Sequence, residues 1–247
     1  MSFHLSSDVG YDNFMGRYST RLAPLFADFA GIGEGHGVLD VGAGTGALTA
    51  ELERRGAAVA AADPSAAFVA TLRRRFPTLD VRQAPAEELP WADESFDGAL
   101  AQLVVSFMRD APAGMAEMRR VARSGGVVAV CMWDREGMEM LGAVERTQDA
   151  LDPTRNHVSV YRTREEIERL LGAGAQTELI TVESEYADFE ELWGTLLDGA
   201  GPAGAWVASL DEPERAAARE ELHRQVGEPD GRFTLTGRAW AVRVTRA

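Results

Sequence analysis

The sequence predicts an α/β protein: a doubly wound, mostly parallel seven-stranded sheet with helices on both faces. A helical cap, drawn from the N-terminus and from an insertion after the fifth strand, completes it. Three observations predict this class. Short apolar runs alternate with helix-period segments through the first half of the chain, a glycine-rich turn follows the first run, and the closing stretch RAWAVRVT at 238–245 returns to strand-like alternation. Strands that alternate with helices require crossover connections, and crossovers give a parallel sheet covered on both sides.

The elements follow in order. Residues 14–30 read as one or two helices. Residues 37–41 are the first strand, and 45–55 a helix ended by Gly56. Residues 59–62 make the second strand, and 66–76 a helix stopped ahead of Pro77. The third strand starts at Val81 and the fourth covers 96–103. A helix spans 112–121 with Pro112 near its first turn, and Ser124-Gly125-Gly126 turns into a fifth strand at 127–132. Residues 135–175 carry helical patterns, with Thr163 and Glu166 spaced as a capping box. Residues 177–186 read as a strand, 189–197 as a helix and 199–204 as a loop. Asp211 and Glu214 box a polar helix reaching about Val226, and 238–245 is a strand near a sheet edge. One domain of 247 residues is expected: an N-terminal cap at 1–35, a ligand-binding core at 36–134, a cap insertion at 135–175 and a sheet completion at 176–247.

Composition bounds the function. Hydrophobic residues are 45% of the chain and charged residues 26%, enough for a substantial core. The formal net charge of -14 opposes a nucleic-acid partner, whose phosphates need a basic face. The single cysteine, Cys131, lies in an apolar strand pattern and reads as a packed thiol. The opening MSFHLSSDVGYDNF lacks the pattern of a signal peptide and no run is long enough to span a bilayer, so a cytoplasmic protein without a membrane partner is expected.

The chemistry is concentrated in VLDVGAGTGAL at 38–48. Gly42, Gly44 and Gly46 suit a tight turn, close backbone approach to a ligand and packing of the following helix, in which role Gly46 is read. GAGTGA also fits a dinucleotide fingerprint, so a nicotinamide-dependent oxidoreductase is one reading. Asp40 argues against it, because a carboxylate two residues before the turn repels a pyrophosphate and attracts an ammonium group. Asp63 closes the second strand, where a carboxylate accepts bonds from ribose hydroxyls. A ligand with a ribose, a cationic end and no pyrophosphate is called for, and S-adenosyl-L-methionine has all three.

The blocks VLDVGAGTG, AADPS, PAEELPW, ESFDGALAQLVVSFMRD and EMRRVARSGGVVAV resemble class I S-adenosylmethionine-dependent methyltransferases, small-molecule type. YDNFMGRYS and RAWAVRV resemble one bacterial subgroup of them. The resemblance implies a Rossmann-like fold, S-adenosylmethionine as donor with S-adenosylhomocysteine as product, and a small-molecule acceptor. Either a monomer or a homodimer is compatible with it. It implies that Asp40, Gly42 and Gly44 hold the methionine end, that Asp63 takes the ribose and that Pro64 lies along the adenine. Ala86 and Glu87 would meet the adenine edge, and Ala101, Gln102 and Leu103 would line the sulfonium region. Tyr11, Met15 and Arg17 would fold over the cofactor, Arg17 reaching the methionine carboxylate. The chain departs from relatives at Pro85, where many have aspartate, and at Ser106, where His or Asn is frequent. Each assignment has a plainer counterpart: Glu87 as a helix-start acid, Arg17 as a surface ion pair, Trp91 as packing.

Methyl transfer asks the protein mainly to align a nucleophile and exclude water, with a base where the acceptor is a hydroxyl or carbon acid. No catalytic residue is fixed by the sequence. His157, Tyr11 and Tyr161 are the weak candidates, a structural histidine being the plainer reading of His157, and Tyr18 is a further acceptor-binding candidate. No metal site is expected, since HExxH, paired CxxC and GxSxG motifs are missing from the chain. Beside the methyltransferase stand the oxidoreductase, a protein or cyclase that holds the cofactor without transferring its methyl, and an accessory interaction module.

Overall fold

Helix α1 (Asp8–Tyr11), a π-helical turn (Asp12–Gly16) and α2 (Arg17–Ala30) lead into β1 (Gly37–Val41). Then come α3 (Ala47–Arg54), β2 (Ala58–Asp63), α4 (Ala66–Arg75), β3 (Asp80–Gln83) and β4 (Phe96–Gln102). A 3-10 turn (Val105–Phe107), α5 (Ala111–Val121) and β5 (Ala122–Met138) follow. The remainder is α6 (Glu139–Leu151), α7 (Arg164–Leu171), β6 (Gln176–Tyr186), α8 (Phe189–Leu197), α9 (Gly201–Ser209), α10 (Glu212–Gln225) and β7 (Phe233–Thr245). The computed structural model describes residues 8–154, 160–198 and 201–247, the side chains of residues 8, 9 and 135 aside.

Local chemistry sets the helix starts. Ser65 accepts from the Phe68 amide at the head of α4, and Asp110 from Ala113 at the head of α5. Complete capping boxes, Thr163 with Glu166 and Asp211 with Glu214, open α7 and α10. Each such cap is worth about 1 kcal/mol.

The seven strands run in the order β3-β2-β1-β4-β5-β7-β6. β1 pairs in parallel with both β2 and β4, β2 with β3, and β4 with β5. The connection from β3 to β4 therefore changes direction across the sheet, and the carboxyl ends of β1 and β4 lie side by side at the switch point. Open α/β sheets bind their ligands at such points.

Two departures from the sequence reading have physical causes. Residues 199–204 read as a loop from their Gly, Ala and Pro content, but 201–209 form α9, because burial of Ala203, Trp206 and Val207 overrides the weak propensity. β5 begins at Ala122 rather than at 127. The Gly125 amide donates to the Arg246 carbonyl at 2.9 Å and the Arg246 amide to Gly126 at 2.8 Å, so the SGG segment is bonded as sheet instead of turning freely.

The chain divides into two compact units. Unit 1 is Met1–Tyr18, Arg135–Val158 and Thr181–Arg238, and unit 2 is Ser19–Asp134, Ser159–Ile180 and Ala239–Ala247. In unit 2 the strand alternation separates two apolar layers. Leu39, Val41, Ala60, Ala62, Ala99, Ala101, Val128 and Val130 join Met115 and Met118 of α5 and Ile167 and Leu171 of α7. Ala61 and Val81 point the other way and meet Val69 and Leu72 of α4. In unit 1, α6 packs with α10, and Tyr186 stacks on Phe233 with ring centroids 5.3 Å apart.

Candidate functional site

The switch point in unit 2 is built from three polar side chains. Asp40 is in register with Ala61 and Leu100, so Asp63, two beyond Ala61, and Gln102, two beyond Leu100, emerge on the same sheet face as Asp40. All three are buried, at 1%, 5% and 9% exposure. Two acids and an amide at neighbouring strand ends make a centre rich in acceptors.

Asp40 accepts the Thr49 hydroxyl of α3 at 2.6 Å. Burial pushes its carboxyl up to about 7; the Thr49 bond opposes this, and the nearby Asp63 charge adds to it. A cation placed here would return it to the carboxylate range. Asp63 is also raised by burial, against the pull of two backbone amides: Gly44 donates to Oδ2 at 2.9 Å and Ser65 to Oδ1 at 2.8 Å. Those bonds fix the carboxylate's orientation, and each oxygen keeps a lone pair for a further donor.

Gln102 has a fixed amide orientation. Its Nε2 donates to the Ser19 carbonyl of α2 at 3.1 Å, and the flipped amide would set oxygen against oxygen. Its Oε1 is thus an acceptor, and it is buried without a hydrogen-bond partner. Leu103 follows at φ +62, a left-handed backbone that a leucine adopts only under constraint; its amide donates to the Cys131 carbonyl at 2.9 Å.

The glycines of the turn divide by role. A Cβ on Gly42 (φ +72) would stand 2.6 Å from both Val104 γ-carbons, and one on Gly46 (φ +94) 2.5 Å from Phe76. Both positions are closed by packing, Gly42 no less than Gly46. Gly44 (φ +57) would meet no heavy atom within 4 Å, which leaves its backbone open to a ligand.

The other expected residues are dispersed as follows. Pro64 is exposed, and its carbonyl accepts from Gln83 at 3.1 Å. Ala86 and Ala101 are buried in the larger apolar layer. Glu87 accepts the Asp110 amide at 2.9 Å, a bond that ties the 85–89 segment to the start of α5. Tyr161, at φ +60, packs on the larger apolar layer of unit 2. Tyr11, Met15 and Arg17 belong to unit 1, where Arg17 pairs with Glu191 at 2.5 Å. His157 lies outside the described residues. Cys131 is buried, and burial raises its thiol far above the ordinary range. Among the described residues no group of three His, Cys, Asp or Glu could hold a metal ion, and no helix is long and apolar enough to cross a membrane.

Sequence reasoning missed Thr49, Val104 and the backbone of Leu103. Only Thr49 left a trace, as a β-branched hydroxyl inside a helix that a pure helix former would otherwise fill.

Comparison with known proteins gives the fold a context. Residues 39–130 match the family model described as methyltransferase domain. The chain is 43% identical over 103 residues to a demethylmenaquinone methyltransferase of Mycobacterium sp. (strain KMS), a match covering 41% of this chain and 43% of that protein. It spans about half the length of the curated relatives it matches, or somewhat less. Among solved structures, a protein designated a methyltransferase of an antibiotic biosynthesis pathway in Anabaena variabilis shares the fold, with TM-score 0.62 and 19% identity over 91% of this chain and 96% of that one. So does the [4+2]-cyclase SpnF, with TM-score 0.55 and 18% identity over 92% of this chain and 82% of that one.

Proposed function

We propose that this chain, whose residues 39–130 match the methyltransferase-domain family model, is a class I methyltransferase that binds S-adenosylmethionine at the β1/β4 switch point and methylates a small-molecule acceptor. The observation that carries the reading is the chemistry of the centre: Asp40, Asp63 and the Oε1 of Gln102 offer acceptors on one sheet face, and Gln102 Oε1 is buried with no donor. That set fits a ligand with an ammonium group and ribose hydroxyls and disfavours a pyrophosphate. When bound, S-adenosylmethionine supplies a methyl group already activated by its sulfonium.

The residues divide the work. Asp40 and Gln102 would take the ammonium, Asp63 the ribose hydroxyls, and the open Gly44 backbone would let the methionine end approach. Leu103 and Ala101 would close the floor beneath the sulfonium. Pro64, Ala86 and Glu87, with Tyr11, Met15 and Arg17 of unit 1, belong to the proposal on the resemblance. The net charge of -14 favours an uncharged or cationic small acceptor over a polyanion, in a cytoplasmic setting. The relatives named for demethylmenaquinone make demethylmenaquinone a sensible first acceptor to try.

Calorimetric titration with S-adenosylmethionine, S-adenosylhomocysteine and NAD tests the cofactor. Micromolar binding of the first two and none of NAD is expected; NAD binding in their place would overturn the Asp40 argument. Acceptor turnover is read as a mass gain of one methyl, which separates a methyltransferase from a cyclase of the same fold.

A further inference from the structure

Helix α3 opens without a side-chain cap, because its N-cap is Gly46, which has no oxygen to offer. Asp40 of β1 supplies the missing acceptor. Its carboxyl receives both the backbone amide and the hydroxyl of Thr49, the third residue of α3, the hydroxyl reaching Oδ2 at 2.6 Å. Thr49 is 0% exposed, so bulk water does not compete for that hydroxyl.

A threonine inside a helix commonly turns its hydroxyl back to a carbonyl three or four residues earlier. Thr147 of α6 does so, donating to Ala143 at 2.8 Å, and Thr195 of α8 donates to Leu192 at 2.8 Å. Thr49 departs from this habit. The carbonyl four residues before it, on Thr45, accepts Arg75 Nη1 from the end of α4 at 2.8 Å, and the Thr49 hydroxyl goes to the acid instead. The titratable groups beside Asp40 are Asp63 of β2 and Cys131 of β5, and the latter stays a neutral thiol. Burial and Asp63 oppose ionisation of Asp40, and the hydroxyl and amide of Thr49 favour it.

We propose that Thr49 is a positioning residue for the cofactor: it pins one oxygen of Asp40 and holds the acid, as a carboxylate of fixed orientation, ready for the ammonium of the methionine end. The proposal rests on the S-adenosylmethionine reading of this site. Thr49 acts only through Asp40, to which its one hydroxyl proton is committed. A hydrogen bond to a charged acceptor is stronger than one to a neutral acceptor, so the hydroxyl favours the carboxylate over the acid. The ligand ammonium needs that same charged form. Thr49 and the ligand therefore favour one protonation state, and removal of the hydroxyl must raise the pH at which the ligand binds well.

Thr49→Ala and Thr49→Ser, which differ by one oxygen, test this on the full chain. The two readouts are carbon-13 NMR titration of the Asp40 carboxyl in the ligand-free protein and calorimetry with S-adenosylhomocysteine from pH 6 to pH 8.5. In Thr49→Ala the carboxyl should titrate at higher pH than in the parent. Affinity at pH 7 should fall roughly tenfold, the effect of losing one charge-assisted hydrogen bond. The deficit should be widest below pH 7 and narrow toward pH 8.5, as the ligand-free acid ionises in both proteins. Thr49→Ser should return both readouts close to the parent. A deficit equal at every pH, an unmoved Asp40 titration in folded Thr49→Ala, or a Thr49→Ser that behaves as Thr49→Ala reduces Thr49 to helix packing and overturns the proposal. Should Thr49→Ala fail to fold by circular dichroism, Thr49→Val, which keeps the side-chain volume and deletes the hydroxyl, carries the test. A parent that binds no S-adenosylhomocysteine sinks the cofactor reading; the NMR titration, which uses no ligand, then still decides whether Thr49 governs Asp40.

Discussion

Thr49 donates its hydroxyl to Asp40 at 2.6 Å, from a helix that begins six residues after β1 ends, and Asp40 is 1% exposed. The pairing leaves a buried acid whose pKa, about 7, stands well above its ordinary 3.8. The unfolded chain ionises near 3.8 and the folded one near 7, so stability is fullest below 3.8 and falls as pH rises to 7. At 1.36 kcal/mol per unit the loss is about 4 kcal/mol. Asp40→Asn should therefore be more stable than the parent at pH 8 by up to that amount, with the gain vanishing near pH 4. Urea unfolding at the two pH values checks it, and equal stability at pH 8 would show that burial does not raise the Asp40 carboxyl.

The same acid predicts a proton signature of binding. A ligand ammonium beside Asp40 stabilises its charged form, so at pH 6, where the free protein holds the proton, binding of S-adenosylhomocysteine should release close to one proton. At pH 8 the release should approach zero. Calorimetry in two buffers of different ionisation enthalpy reads this directly. A buffer-independent heat at pH 6 would remove Asp40 from the ligand's contacts.

Legibility in the sequence followed the range of the interaction. The parallel strands were readable because a strand covered on both faces is a continuous apolar run, and the boxes at Thr163 and Asp211 because caps are local. Asp40 and Asp63 were readable as acids at the ends of apolar runs, where packing gives no reason for them. α9 was not, since only the burial of Trp206 and Val207 makes a helix of a Gly-Pro-Ala segment. The closure of Gly42 by Val104 joins residues far apart in the chain, and the left-handed Leu103 contradicts the preference of its own side chain. Neither leaves a local mark.

Asp63 has two kinds of work to lose. Asp63→Ala deprives the Gly44 and Ser65 amides of their acceptor, a cost of about 1–3 kcal/mol in unfolding free energy. If the carboxylate also receives ribose hydroxyls, S-adenosylhomocysteine affinity should fall roughly 100-fold, the equivalent of about 2.7 kcal/mol for charge-assisted bonds. Calorimetry on the folded variant decides: an affinity within threefold of the parent would confine Asp63 to shaping the turn.

The turn glycines supply the sharpest contrast, because the two positions with similar φ differ in what surrounds them. Gly42→Ala forces a methyl to 2.6 Å from Val104 at φ +72, adding overpacking of about 1–3 kcal/mol to the left-handed strain of about 1–2 kcal/mol. Gly44→Ala at φ +57 meets no atom within 4 Å and should cost the strain alone. Binding should rank them the other way. In a Val104→Ala background Gly42→Ala should recover its packing share of stability and bind S-adenosylhomocysteine nearly as the parent does. Gly44→Ala, folded and only mildly destabilised, should lose at least about tenfold in affinity, because its methyl occupies the space through which a ligand approaches the backbone. Thermal unfolding and calorimetry on the three variants give both rankings. A Gly44→Ala protein that binds at full strength would move the ligand away from this turn, and with it the reason for Asp40 at the end of β1.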